Sequence, residues 1–142
     1  MNTDFLLLNE VYQNSITAID ALSMMLKKSR EERVINCIFE QMQDYRKIAN
    51  DAIDMMREYD YNPKGRDALE KSGLYIAVNV IGAGNISSKR IAKILINGST
   101  EGIFNITNYI NSCTDASKKS RYLAYELIKI EEKNILKMYD FL

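Results

Sequence analysis

Apolar residues recur every three or four positions in four long segments of the chain, the spacing that places them on one face of an α-helix. The first segment runs from about Asp4 to Lys28, and Thr3 is placed to cap it. The second runs from about Glu31 to Tyr59, the third covers residues 86–112, and the fourth begins after the sequence TDASKK and runs to the C-terminus. At about 1.5 Å per residue these helices have similar lengths, which predicts an all-α, four-helix bundle with short links at 29–30 and 113–116.

The connection between the second and third helices is the least regular part of the pattern. The sequence EYDYNPKGRD, residues 58–67, contains the one proline of the chain, Pro63, and ends the second helix. Residues 60–85 are enough to run the length of the bundle, and we expect an extra helical segment over about 67–81. Two topologies remain open: a long crossover that makes the second and third helices parallel, or one long third helix that bends near Gly82–Gly84.

The sequence AVNVIGAGNISSKR, residues 77–90, begins like a dinucleotide-binding turn, with an apolar run followed by Gly82 and Gly84. Ser87 stands where the third glycine of that fingerprint is required. The motif also requires a second strand downstream, and the sequence there, NGSTEGIFNITNYINSC, continues the helical pattern instead. We therefore expect the glycines to relax the backbone at a joint, with Asn85 or Ser87 capping the helix that follows.

Composition narrows the class of protein. A chain of 142 residues forms one domain, 1–142, with its own core. Nineteen basic and nineteen acidic residues cancel, so we expect neither nucleic acid nor a membrane as partner. The absence of histidine removes the commonest general base and transition-metal ligand. Cys37 and Cys113 are expected to be buried thiols in a cytoplasmic protein, and frequent Lys, Ile and Asn are typical of an AT-rich bacterial genome.

Two glycines stand inside the predicted third helix. Gly98 and Gly102 are four residues apart and so share one side of the helix, and each costs about 1 kcal/mol relative to alanine. Close approach of a neighbouring helix is the expected reason. The alternative is space for a ligand or for a large side chain such as Tyr12 or Tyr45.

Polar residues interrupt the inner faces of all four helices. We expect Gln41, Tyr45 and Asn134 to form an internal hydrogen-bond network that fixes helix register. For Glu131 three roles are open: a surface residue paired with Lys133 or Lys137, a buried carboxyl bonded to a tyrosine, or a metal ligand. The polar pairs, one on each helix, are Glu10 and Asn14, Gln41 and Asp44, Asn97 and Glu101, and Glu131 and Asn134.

The chain resembles the ferritin-like superfamily. The resemblance is carried by four matched helices, the long 60–85 connection, and the sequences INGSTEGIFNIT and LIKIEEKNILKMYDFL, which are similar to a bacterial ferritin-like family of unknown function. It implies a metal site of single Glu residues on two helices and Glu-x-x-His on the other two. Here the corresponding pairs are Glu131-x-x-Asn134 and Gln41-x-x-Asp44, without imidazole. The candidate ligands, for Mn or Fe, are Glu10, Asp44, Glu101 and Glu131.

Three functions follow as hypotheses. The first is a non-catalytic bundle that acts by self-association, as a dimer, or by binding a protein partner, through a second line of small and apolar residues on the first helix. The alternative is a carboxylate-ligated metal-binding or oxidase protein of the ferritin-like type. A third is small-molecule binding in a cavity opposite Gly98 and Gly102. The second line on the first helix consists of Leu7, Val11, Ala18, Ala21 and Met25.

Overall fold

A computed structural model describes residues 2–63 and 84–142 and shows four long α-helices in this part of the chain. They are α1 (Thr3–Lys28), α2 (Glu32–Glu58), α3 (Ser88–Ser112) and α4 (Lys118–Met138), followed by a 3-10 turn at Tyr139–Phe141. The described ranges contain no strand. The all-α, four-helix prediction is confirmed, and each helix begins and ends within two residues of its predicted bounds, apart from the C-terminal turn.

Contacts between helix ends fix the direction of each helix. At one end of the bundle Asp4 accepts a hydrogen bond from the Ser117 backbone N–H at 2.8 Å, and Lys119 pairs with Glu58 at 3.2 Å. At the other end the backbone N–H of Ile86 donates to the Lys28 carbonyl at 3.1 Å. Helices α1 and α4 therefore run one way and α2 and α3 the other.

Because α2 and α3 are parallel, the connection between them spans the length of the bundle, as in the first of the two expected topologies. The predicted helical segment at 67–81 lies outside the described residues, as does Gly82. Gly84 has a φ of 60°, the left-handed conformation that glycine adopts without steric cost. Ser87 then caps α3, since its hydroxyl accepts from the backbone N–H of Arg90 at 3.2 Å.

The cap of the first helix differs from the prediction by one residue. Asn2, not Thr3, is the N-cap, and its side-chain oxygen accepts from the backbone N–H of Phe5 at 3.2 Å. Asparagine caps helices at least as well as threonine, so the sequence offered two adjacent candidates of similar strength.

The core lies along the bundle axis and includes most of the second line predicted on helix α1. Leu7, Val11 and Met25 are fully buried within the single chain. They are therefore not the surface that a second chain would cover, and this line no longer supports self-association. Cys37 and Cys113 are free thiols, the first half-buried and the second buried. No described helix combines the length and apolarity that a membrane crossing requires.

Candidate functional site

A buried carboxyl and a buried phenol meet at the centre of the bundle. The helical spacing that points Leu127 inward from α4 does the same for Glu131, and Tyr45 lies between Ile38 and Ile48 on the inner face of α2. Glu131 is 2% exposed and Tyr45 1%. The Tyr45 hydroxyl donates to Glu131 Oε2 at 2.6 Å. Of the three roles open for Glu131, the structure shows the carboxyl bonded to a tyrosine.

Burial changes the acidity of both groups. It raises the pKa of Glu131 from 4.5 to about 7, while hydrogen bonds from Tyr45 and Ser99 act in the opposite direction. Burial and the neighbouring Glu131 charge raise the pKa of Tyr45 well above its usual value. Near neutral pH, Glu131 therefore exchanges between acid and carboxylate, while Tyr45 stays protonated and can donate to it.

Gly102 on α3 makes room for this carboxyl. A Cβ atom at position 102 would lie 2.6 Å from Glu131 Oε1, so the carboxyl would have to shift, and 3.0 Å from Asn14 Oδ1, a tight contact. The Asn14 amide donates to the Gly102 carbonyl at 3.0 Å, which ties α1 to α3 at this point. The glycine is thus explained by a neighbouring side chain, the alternative considered from the sequence.

Gly98 has a different environment. Among the described residues, no atom of another helix lies within 4 Å of a Cβ atom placed there, so close packing against α1, α2 or α4 does not explain this glycine. One turn before Gly102, it forms part of the wall of an open space, and its missing side chain makes that space larger.

A cavity of about 620 Å³, here called the α1–α3 cavity, extends from Gly98 to the buried pair. Its walls come mainly from α1 and α3, and Gln41, Tyr45 and Glu131 close it from α2 and α4. Among the described lining residues three are glutamates and none is Lys or Arg. The other polar side chains along its walls belong to Asn14, Thr17, Asn97, Ser99, Thr100 and Asn105.

The four candidate metal ligands do not form one ligand set. Glu10, which is half-buried with its pKa raised by burial, and the exposed Glu101 line the α1–α3 cavity together with Glu131. Asp44 does not line it, and its Oδ2 accepts from Lys133 at 2.8 Å. Across residues 2–63 and 84–142, no three Asp, Glu or Cys side chains are close enough to share a metal ion.

Gln41, Tyr45 and Asn134 do not hydrogen-bond to one another as the sequence predicts, because Gln41 and Tyr45 bond to different partners. The Gln41 amide donates to the Met138 sulfur at 3.2 Å and to the Cys37 sulfur at 3.3 Å. Asn134 is 1% exposed and lies near the Tyr45 hydroxyl, but neither of its amide atoms reaches hydrogen-bond geometry. The bond that Tyr45 does make goes to Glu131.

Two residues near this pair were missed as partners. Asn14 was noted for its spacing from Glu10, but its bond to the Gly102 carbonyl was not foreseen. Ser99, which favours ionisation of Glu131, had not been singled out. The position of Ser99 between Gly98 and Gly102 could have indicated this role, because a small polar residue there borders the inner face of α3.

Comparison with known proteins shows the fold. No protein-family model matches the chain, and no curated protein sequence is similar to it. A solved structure that it resembles is the crystal structure of a DUF305 fragment from Deinococcus radiodurans, with a TM-score of 0.78 at 14% sequence identity. The match covers 99% of this chain and 95% of the fragment. At this level of identity the likeness shows that the two chains share a fold, which is all-helical in the described part of this chain.

Proposed function

We propose that the protein is a non-catalytic helical bundle that binds a small molecule in the α1–α3 cavity. The observation that carries the proposal is the cavity of about 620 Å³ with the Glu131–Tyr45 pair at its end. This volume is within the range of about 300–1,000 Å³ typical of ligand sites, which combine apolar walls with a few placed polar groups. Ala18, Leu22 and Ile94 supply apolar wall here.

Gly98 supports the same conclusion from helix energetics. A glycine inside a helix costs about 1 kcal/mol relative to alanine, and no described neighbour would obstruct an alanine at this position. No contact with the described residues therefore requires a glycine here. It does leave the wall of the α1–α3 cavity open, which benefits a bound molecule.

The residues around Glu131 favour binding over catalysis. A carboxyl with a raised pKa in a cavity suits acid–base chemistry, so Glu131 alone would fit an enzyme. The described lining offers amides, hydroxyls and carboxyls, with no cysteine or lysine and no second base in contact with Glu131. These groups recognise a ligand by hydrogen bonds.

A library screen by thermal shift tests the proposal, comparing the wild-type chain with Gly98→Leu. No described atom outside the helix backbone lies within 4 Å of a Cβ at position 98, so we expect the leucine to extend into the cavity and fill part of it. We expect compounds that raise the Tm of the wild type and leave the Tm of Gly98→Leu unchanged. Ser112→Leu, at the exposed end of the same helix and outside the cavity, is the control variant. The proposal is wrong if no compound binds the wild type, or if Gly98→Leu binds the same compounds equally well.

The ferritin-like relationship and its metal chemistry form a second proposal, supported by topology. Parallel α2 and α3, joined by one long connection, are the arrangement of ferritin-like bundles. Asp44 lies outside the cavity, and Glu10, Glu101 and Glu131 line it without coming close enough to form a shared ligand set for Mn or Fe. Elemental analysis after incubation with each metal decides it: stoichiometric metal that Glu131→Gln removes supports this function, and none rejects it.

A dimeric state and a cytoplasmic location are also proposals. The face of α1 that motivated the dimer is buried, so the remaining support is the exposed aromatic residues Tyr122 and Tyr125 on α4. The native mass in solution tests the dimer directly. A monomeric mass across the micromolar range would reject it.

A further inference from the structure

The charged groups of the α1–α3 cavity all have the same sign. Glu131 lies at its inner end, while Glu10 and Glu101 contribute carboxyls from α1 and α3. The described lining has no Lys or Arg to balance them. Lys133 is exposed and bonded to Asp44, whose carboxyl does not line the cavity. Within the described part of the chain, the ionised form of Glu131 therefore has hydrogen-bond donors nearby but no cation in the cavity lining.

We propose that the ligand of the α1–α3 cavity is an aliphatic primary amine whose ammonium group binds the Glu131 carboxylate. This inference rests on the proposed ligand-binding function and names its chemical class. An ammonium group carries three donors and one positive charge, whereas an ionised carboxylate only accepts. A buried carboxylate is costly unless it is paired, so a cationic ligand supplies what the described chain does not.

The remaining walls fit the stem of such a molecule. Ala18, Ala21 and Leu22 on α1 face the cavity together with Ile94 and Leu95 on α3. Each methylene group buried against such surfaces contributes about 0.8 kcal/mol. The alkyl stem of the ligand therefore fits the apolar wall, and its ammonium head fits the carboxyl end of the cavity. An anionic ligand would instead face three carboxyls, with no described cation to neutralise them.

Binding of an ammonium group is coupled to a proton on Glu131. The titratable groups that share the cavity with it are Glu10 on α1, Tyr45 on α2 and Glu101 on α3, while Asn14 and Ser99 face it without titrating. Burial raises the pKa of Glu131 to about 7, so in mildly acidic solution the carboxyl must release a proton before it pairs with a cation. Affinity should fall about tenfold between pH 8 and pH 6, with nearly one proton released per ligand at pH 6.

Isothermal titration calorimetry of the full chain tests the inference with three probes of equal stem length: hexylamine, hexanol and hexanoate. We expect hexylamine to bind most tightly, and Glu131→Gln to weaken it at least tenfold while hexanol binding is unchanged. Glutamine keeps an acceptor for Tyr45, so this variant retains the fold. Glu101→Gln, at an exposed wall position, should weaken hexylamine by a smaller factor, and Asp44→Asn, outside the cavity, should have no effect.

The outcomes separate this inference from the function on which it rests. If hexanol or hexanoate binds as tightly as hexylamine, or if Glu131→Gln leaves hexylamine affinity unchanged, the amine inference is wrong and ligand binding stands. The same conclusion follows if none of the three binds while the library screen finds a compound that Gly98→Leu excludes. If neither experiment finds a ligand, both proposals are wrong.

Discussion

The two glycines of α3 should respond in opposite directions to the same substitution. Gly98→Ala adds a methyl group with no described neighbour from another helix within 4 Å, so it should stabilise the protein by about 1 kcal/mol through helix propensity. Gly102→Ala places its Cβ 2.6 Å from Glu131 Oε1. The Glu131 carboxyl is the far end of a flexible side chain and can move. Moving it, however, breaks the 2.6 Å bond from Tyr45, which is worth about 1.5–3 kcal/mol when one partner is charged.

Subtracting the propensity gain leaves a net destabilisation of about 0.5–2 kcal/mol for Gly102→Ala. Urea denaturation at neutral pH measures both variants against the wild type. A second comparison, of Gly102→Ala in a Glu131→Ala background, isolates the cause, because the obstructing carboxyl is absent there. In that background, Gly102→Ala should no longer lower the free energy of unfolding and could raise it. The reasoning is refuted if Gly102→Ala is as stabilising as Gly98→Ala, or if its cost is unchanged without Glu131.

Four other changes follow from the same contacts. Folding raises the pKa of Glu131 from 4.5 to about 7, so the stability that the protonated carboxyl contributes is complete below pH 4.5 and is lost as the pH rises through 7. The loss amounts to about 3 kcal/mol in all. In urea denaturation at a series of pH values, Glu131→Gln should make the free energy of unfolding less dependent on pH. Tyr45→Phe removes a bond that lowers the pKa of Glu131, so an NMR titration should show that pKa rising further. In thermal denaturation Asn14→Ala should cost about 1 kcal/mol, because it frees the Gly102 carbonyl. Ser87→Ala should cost about 1 kcal/mol by removing the cap of α3, with Ser112→Ala, on the exposed end of that helix, as control.

The helices could be predicted because the residues that determine each helix lie close together in the sequence. Apolar spacing marks each inner face, and few breakers interrupt it, so the four long segments and the inward direction of Tyr45 could be predicted from the sequence. For Glu131 the same spacing left a surface position and a buried one open. The first cap was misplaced by one residue because Asn2 and Thr3 are both good capping residues. Such choices depend on the exact first turn, which periodicity does not determine.

The arrangement of the site depends on rotation of the helices about their axes, which a single sequence does not reveal. Asp44 and Gln41 lie three residues apart on α2, yet Asp44 points toward Lys133 at the surface and Gln41 toward sulfur atoms in the interior. Gly98 and Gly102 share a helix face, but one borders open space and the other a carboxyl. The sequence could name the polar residues of the interior, and only the packed bundle shows which of them meet.

The most direct test of the account is a carbon-13 NMR titration of the Glu131 side-chain carboxyl, with and without hexylamine. Without ligand we expect a pKa of about 7, and with saturating hexylamine a clearly lower value, because a bound ammonium group stabilises the carboxylate. Glu126, half-exposed on the same helix and paired with Lys129, provides the internal control and should not shift. A Glu131 pKa near 4.5 that does not change when hexylamine is added would contradict both the burial of the Glu131–Tyr45 pair and the proposed binding of an amine.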